Sequence, residues 1–156
     1  MKKIKIHKFP KKVEIKGLSI LTKNVGIKSS HREDVAIVVF KNIAEVAMVL
    51  TRSKTCAPNI QWLKTIKNIG KAKILHINSG NANAYTGKQG MDNLKKIIQD
   101  LASKYLCSPK HIIISSTGVI GEQLPIKKLL SHIYEHNIIE EQQNWRSLAK
   151  SIMTTD

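Results

Sequence analysis

The run Val35-Ala-Ile-Val-Val-Phe40 constrains this chain more than any other feature of its sequence. Its six consecutive apolar residues, four of them β-branched, fit neither a helical stripe nor an alternating half-buried strand. They fit a strand covered on both faces, which needs layers above and below it. The rest of the chain offers those layers. Lys73–Ile77 and His111–Ser115 read as further strands, and each leads through a loop of small polar residues into a helix. Ile43–Thr51, two residues beyond Phe40, reads as a strand paired with the first as a hairpin.

The helices follow from apolar spacing and from their start and stop signals. Pro58 opens a short one with Ile60, Leu63, Ile66 and Ile69 on one stripe, ended by Gly70. Met91, Leu94, Ile97, Ile98, Leu101 and Tyr105 form a single face over Gln89–Leu106, which Ser108-Pro109 stops. Pro125 starts a third helix with Leu129, Leu130 and Ile133 inward. A last one, about Glu140 to Met153, is expected to bury Trp145, Leu148 and Ile152 and to carry acidic residues in its first turn, where the macrodipole favours them. The order β-β-α-β-α-β-α-α defines an α/β class.

Composition bounds the function. A chain of 156 residues, 42% hydrophobic with seven aromatics, suits one domain or part of one, with an aliphatic core. The formal net charge of +15 asks for an anionic partner, and a basic module that binds nucleic acid without specificity is one reading. Against a specific one, the cations are 23 Lys and only 3 Arg, whereas base-edge readers depend on the Arg fork. Lys, Ile (23) and Asn (10) are inflated together, as AT-rich codons would do. Cys56 and Cys107 lack any CxxC spacing, so neither a disulfide framework nor a structural zinc is expected. Lysines break every apolar stretch after Met1, which excludes a secretory signal, and no apolar run approaches the length of a membrane span; a cytoplasmic protein is expected. Residues 1–25 read as a basic arm or edge strand and 26–156 as the folded part.

Both strand-to-helix loops, Asn78–Gly87 and Ser116–Gly121, hold residues that let backbone approach a ligand closely. Neither carries GxGxxG or GK[ST] spacing, so ATP and NAD are disfavoured. Ser115-Ser-Thr-Gly118 admits two chemical readings: a hydroxyl nucleophile, for which no base is evident, or an oxyanion hole built from Thr117 and the Gly118 N–H. A strand end capped by hydroxyls is the plain alternative. The pair is expected in a cleft at the C-terminal end of His111–Ser115. His132 and His136 stand at i, i+4, yet without the HExxH glutamate they read as a solvated helix face and no metal site is expected.

Taken together, Gly26-Ile-Lys28 followed by Arg32-Glu-Asp34, Asn78-Ser-Gly-Asn-Ala-Asn-Ala84 with Thr86-Gly87, Ser116-Thr-Gly-Val-Ile-Gly121 with Leu124-Pro125, and Ile152-Met-Thr-Thr-Asp156 resemble the N-terminal part of the ornithine acetyltransferase (ArgJ) family. The resemblance implies an incomplete ArgJ/DmpA-like layered α/β fold and a glutamate N-acetyltransferase of arginine biosynthesis. Such an enzyme moves acetyl from N-acetylornithine, or from acetyl-CoA as co-substrate, to glutamate, with no bound cofactor. Family members cleave themselves and free a threonine nucleophile at the N-terminus of a β chain, in an α2β2-like hetero-oligomer. By motif, Thr117 and Gly118 match the oxyanion pair, and Thr155, with Thr154 beside it, matches a substrate-binding threonine. The family's cleavage junction lies past Asp156. The nucleophile is therefore expected in a β chain, and these 156 residues alone are expected to transfer no acetyl group; a remnant that has lost catalysis is the alternative reading.

Overall fold

The structure, a computed structural model, describes residues 14–29, 32–66, 70–135 and 143–154. Four strands, β1 (Leu18–Lys23), β2 (Val35–Glu45), β3 (Lys71–Asn81) and β4 (Ile112–Val119), form one sheet in the order β1-β2-β3-β4. The β1–β2 and β2–β3 pairs are antiparallel and β3–β4 is parallel. Parallel neighbours need a long crossover, and helix α2 (Gly87–Lys104) supplies it. Helices α1 (Pro58–Thr65) and α3 (Ile126–Glu135) pack beside α2, whereas α4 (Trp145–Ile152) lies against β1, β2 and β3.

Side chains on the two faces of the sheet accordingly enter two cores. Val35, Ile37, Ile74, Ile112 and Ile114 meet Leu94, Ile97, Ile98 and Leu101 of α2 and Leu129 and Ile133 of α3. Leu18, Ile20 and Val38 meet Trp145 and Leu148 of α4. Val35 to Val38 are all buried, as the continuous apolar run requires. No described helix is long and apolar enough to cross a membrane.

The element order agrees with the sequence reading, but one of its strands is a different segment. The partner of Val35–Phe40 is Leu18–Lys23, in the register Leu18↔Phe40 to Lys23↔Val35, so the expected 43–51 hairpin does not form. Instead β2 runs through Lys41-Asn42, its register against β3 shifts between Val39 and Ala44, and residues 46–50 continue outside any strand. Two features of the last helix also differ. It begins at Trp145 behind an Asn144 cap and has no acid in its first turn; Glu140 and Glu141 lie outside the described residues. Ile152, at 42% exposed, turns away from the sheet while Ser151 is buried, because the helix ends there in polar contacts rather than in the core.

Candidate functional site

The C-terminal ends of β3 and β4 build the region that carries the small-residue motifs. In register, Ser79 stands beside Thr117 and Gly80 beside Gly118. Gly118 has φ +130°, and a Cβ on it would lie 2.3 Å from the Gly80 carbonyl carbon and 2.6 Å from the Asn81 nitrogen. Gly80, at φ +99°, would place a Cβ 2.9 Å from Ile27 Cγ2. Glycine at both positions lets segments 26–28, 79–81 and 117–119 close on one another. Thr117 and Gly118 therefore lie, half-buried, in the last residues of β4 rather than in a loop beyond it, since the strand continues past Ser115 to Val119.

On the α2 face this end is knitted by amides and hydroxyls. Ser116 Oγ accepts from Asn59 Nδ2 at 2.9 Å and donates to Asn78 Oδ1 at 2.6 Å. Asn83 Nδ2 donates to Asn59 Oδ1 at 2.9 Å, and the Thr86 hydroxyl donates to Asn83 Oδ1 at 2.9 Å. Asn81 Nδ2 reaches the Glu122 and Gln123 carbonyls at 3.0 and 3.2 Å. Ser116 is thereby committed to structure and is a poor nucleophile candidate.

On the opposite face a second seam joins β3 to α4. Fully buried Asp34 accepts backbone N–H bonds from Val25 (2.8 Å), Ile27 (2.6 Å) and Lys28 (3.1 Å), which fixes the 25–28 loop. Lys28 Nζ donates to the carbonyls of Glu33 (3.3 Å) and Ser151 (3.4 Å) and to that of Met153. Burial lowers the Lys28 pKa, opposed by the Asp34 carboxylate. The buried Ser79 hydroxyl also donates to the Ser151 carbonyl. Strand alternation puts Thr117 on the face that Ser79 shares, so the Thr117 side chain and the end of α4 lie on the same side of the sheet. Thr154 is exposed just past this seam, and Thr155 lies outside the described residues.

Among the described residues no three His, Cys, Asp or Glu side chains cluster as metal ligands. His136 lies outside the described residues, and His132 is not on a solvated face: it is 1% exposed, turned inward beside Leu129 and Ile133. Across the core from it, His76 of β3 is fully buried without a hydrogen bond to either ring nitrogen; burial first, and His132 second, hold its pKa down at about 3. Burial raises the Cys107 thiol, with Lys73 opposing. The Gly26-Ile-Lys28 and Arg32-Glu-Asp34 motifs carry part of the family resemblance, but the sequence alone assigns no role to Lys28 or Asp34. A hint existed: Asp34 immediately precedes a fully apolar strand, where a buried carboxylate needs several donors.

A mixed sheet with helices on both faces and a glycine crossing at the end of its parallel pair defines a layered α/β protein with a small-residue site at that end. The model of the ArgJ family matches residues 19–156, which takes in β1 from its second residue and every later element. The chain belongs to the ArgJ family. It is 36% identical over 148 residues to the arginine biosynthesis bifunctional protein ArgJ of Agrobacterium fabrum, covering 95% of this chain and 36% of that protein. The Mesorhizobium japonicum protein of the same name is 37% identical over 150 residues, again 36% of its length. The chain thus spans about a third of these relatives. Among solved structures, ArgJ from Bacillus halodurans superposes with TM-score 0.79 at 31% identity, covering 90% of this chain and 74% of that one. Ornithine acetyltransferase from Mycobacterium tuberculosis, complexed with ornithine, gives TM-score 0.76 at 28% identity, covering 90% and 77%. The fold is part of the ArgJ fold.

Proposed function

We propose that this chain is the α-chain portion of a glutamate N-acetyltransferase/ornithine acetyltransferase of arginine biosynthesis. In this reading Thr117 and Gly118 form the oxyanion hole, Thr155 contacts substrate, and a β chain outside these residues supplies the threonine nucleophile. The observation that carries it is the glycine crossing: no other residue than glycine fits at 118, and the crossing sets Thr117 beside Ser79 on the face where α4 ends. A rigid backbone of this kind suits an oxyanion donor, which must be aimed before charge develops. The relatives' shared name and the ornithine in a similar structure support the substrate class. The coverage supports the chain division: the chain fills about three quarters of each solved chain but about a third of the curated proteins.

The reaction then runs in two balanced halves. The β-chain threonine hydroxyl adds to the acetyl carbonyl of N-acetylornithine, the C–N bond breaks, and ornithine leaves with the hydroxyl proton on its amine. The glutamate amine next attacks the acetyl-threonine ester, forming acetylglutamate and restoring the hydroxyl. Each attack puts negative charge on the carbonyl oxygen, which Thr117 and the Gly118 N–H stabilise. With acetyl-CoA as donor only the first leaving group changes.

Incubation of the chain with N-acetylornithine and glutamate, before and after addition of a separately made β chain, is the test. Acetylglutamate is expected only after the addition; product beforehand would put the nucleophile within these residues. In the joined protein, Thr117→Ala should lower turnover about 10²-fold with a smaller change in KM, as loss of one oxyanion donor does. Unchanged turnover would reduce the pair to a structural turn.

A further inference from the structure

Thr117 and Gly118 lie at the end of β4 and Thr154 lies just beyond α4, and a shared face does not by itself fix the distance between these two stretches. The seam between β3 and α4 does. We infer that Lys28 is a positioning residue that ties the 151–154 stretch, and with it Thr154, to the glycine crossing that holds Thr117 and Gly118.

The chain of contacts is continuous. Gly118 abuts the Gly80 backbone; Gly80 in turn faces Ile27 and Lys28, whose Cγ would lie 3.1 Å from a Cβ on Gly80. Lys28 cannot drift, because its own N–H and those of Val25 and Ile27 are held by the buried Asp34 carboxylate. From that fixed base its ammonium group reaches the Ser151 carbonyl at 3.4 Å and the Met153 carbonyl, two of the acceptors that a helix end leaves without intrahelical partners. Cation and carbonyl dipoles are matched in sign there, since the C-terminus is the negative end of the helix. The Ser79 hydroxyl shares the Ser151 carbonyl from the neighbouring strand position, beside Thr117. Helix α4 has only eight residues, too few to hold its own end without such contacts. The ligand arm below rests on the proposed function; the structural arm does not.

Amide hydrogen exchange of the chain, read residue by residue, compares the parent with Lys28→Met and Lys28→Arg. Lys28→Met should speed exchange at residues 151–154 by tenfold or more while β2 and β3 exchange as in the parent; Lys28→Arg, which restores a cation with several donors, should return most of the protection. In parallel, N-acetylornithine is titrated into the same proteins joined to the β chain, where Lys28→Met should weaken binding about tenfold and Lys28→Arg should recover it. Unchanged protection at 151–154 in Lys28→Met overturns the inference, as does a loss spread evenly through β2 and β3, which would mark Lys28 as general fold support. Lost protection with unaltered N-acetylornithine binding also overturns it. If the parent itself binds no N-acetylornithine, the functional reading fails, and the exchange arm alone decides whether Lys28 positions the segment.

Discussion

The core between the sheet and α2 and the seam at the loop end of the same sheet are held by different forces. The core is aliphatic, with Ile37, Ile74, Leu94, Ile97, Ile98, Leu101 and Ile112 all at 1% exposure or less. Its cohesion grows with buried area, about 1.5–3 kcal/mol per large side chain, and has no preferred direction. The seam contains Asp34, Lys28, Ser79 and Ser151 and two glycines that admit no Cβ. Hydrogen bonds of this kind are directional and costly to leave half-made, and they fix positions to fractions of an ångström. The core makes the sheet durable; the seam decides where Thr117 and the end of α4 stand.

The widest difference should appear between a small change in the seam and a comparable one in the core. Gly118→Ala adds one methyl group where backbone atoms lie 2.3–2.6 Å away, at a φ of +130°. No side chain can yield, so roughly 4 kcal/mol of destabilisation or failure to fold is expected. Leu94→Met, a volume-conserving exchange at a fully buried core position, should cost less than about 1.5 kcal/mol. Urea unfolding of both variants checks the contrast, and similar losses would mean that the crossing can open more easily than its contacts allow.

The same division explains what could be read from the sequence. Periodicity reports burial, so the α2 stripe from Leu94 to Leu101 and the strand from Val35 to Val38 were legible residue by residue, while Val39, Phe40, Met91 and Tyr105 at their ends are only half-buried. The edge strand expected within residues 1–25 forms at Leu18–Lys23, but its bounds and its pairing with Val35–Phe40 were not legible, because its alternating side chains, Leu18 and Ile20 buried and Ser19 and Thr22 less so, follow a lysine-rich stretch that masks the pattern. The motif loops were legible as motifs through their resemblance to a family, which named Thr117 and Gly118. Their connections were not, since Lys28, Ser79 and Ser151 are brought together from up to 123 residues apart by tertiary folding. Burial of Ser151 in place of Ile152 has the same origin: a short helix that ends in polar contacts turns its last apolar residue outward.

A polar group inside the apolar region gives the next sharpest test. His76 is enclosed by the α2-side core with its ring held neutral, its pKa lowered to about 3 from 6.5. The folded state therefore binds the proton less readily than the unfolded chain. This contribution to stability is complete above pH 6.5 and is lost as pH falls from there towards 3. Between pH 7 and pH 5 the loss should be about 2 kcal/mol from this group. Urea midpoints across that range should fall with acid in the parent and fall much less in His76→Leu, which keeps a similar volume without a titrating ring. An equal acid slope in both would show that His76 gains a solvated or paired form in the folded state.

The smallest expected effect lies at the far end of α4, and it separates the seam's contribution to that helix from the helix's own. The Asn144 side chain accepts the Ser147 N–H at 3.0 Å and is exposed, as is usual for a cap. Removing it by Asn144→Ala should cost about 1 kcal/mol, while Asn144→Asp, which keeps the acceptor and adds a charge suited to the positive end of the dipole, should cost nothing measurable. If α4 is held chiefly by Trp145 and Leu148 in their small core and by Lys28 and Ser79 at its end, Asn144→Ala will fray residues 145–147 and leave protection at 151–154 close to that of the parent. Loss of protection along the whole helix would instead mean that α4 melts as one unit from its N-terminus. The position of the 151–154 stretch would then be set by helix stability rather than by the contacts of Lys28.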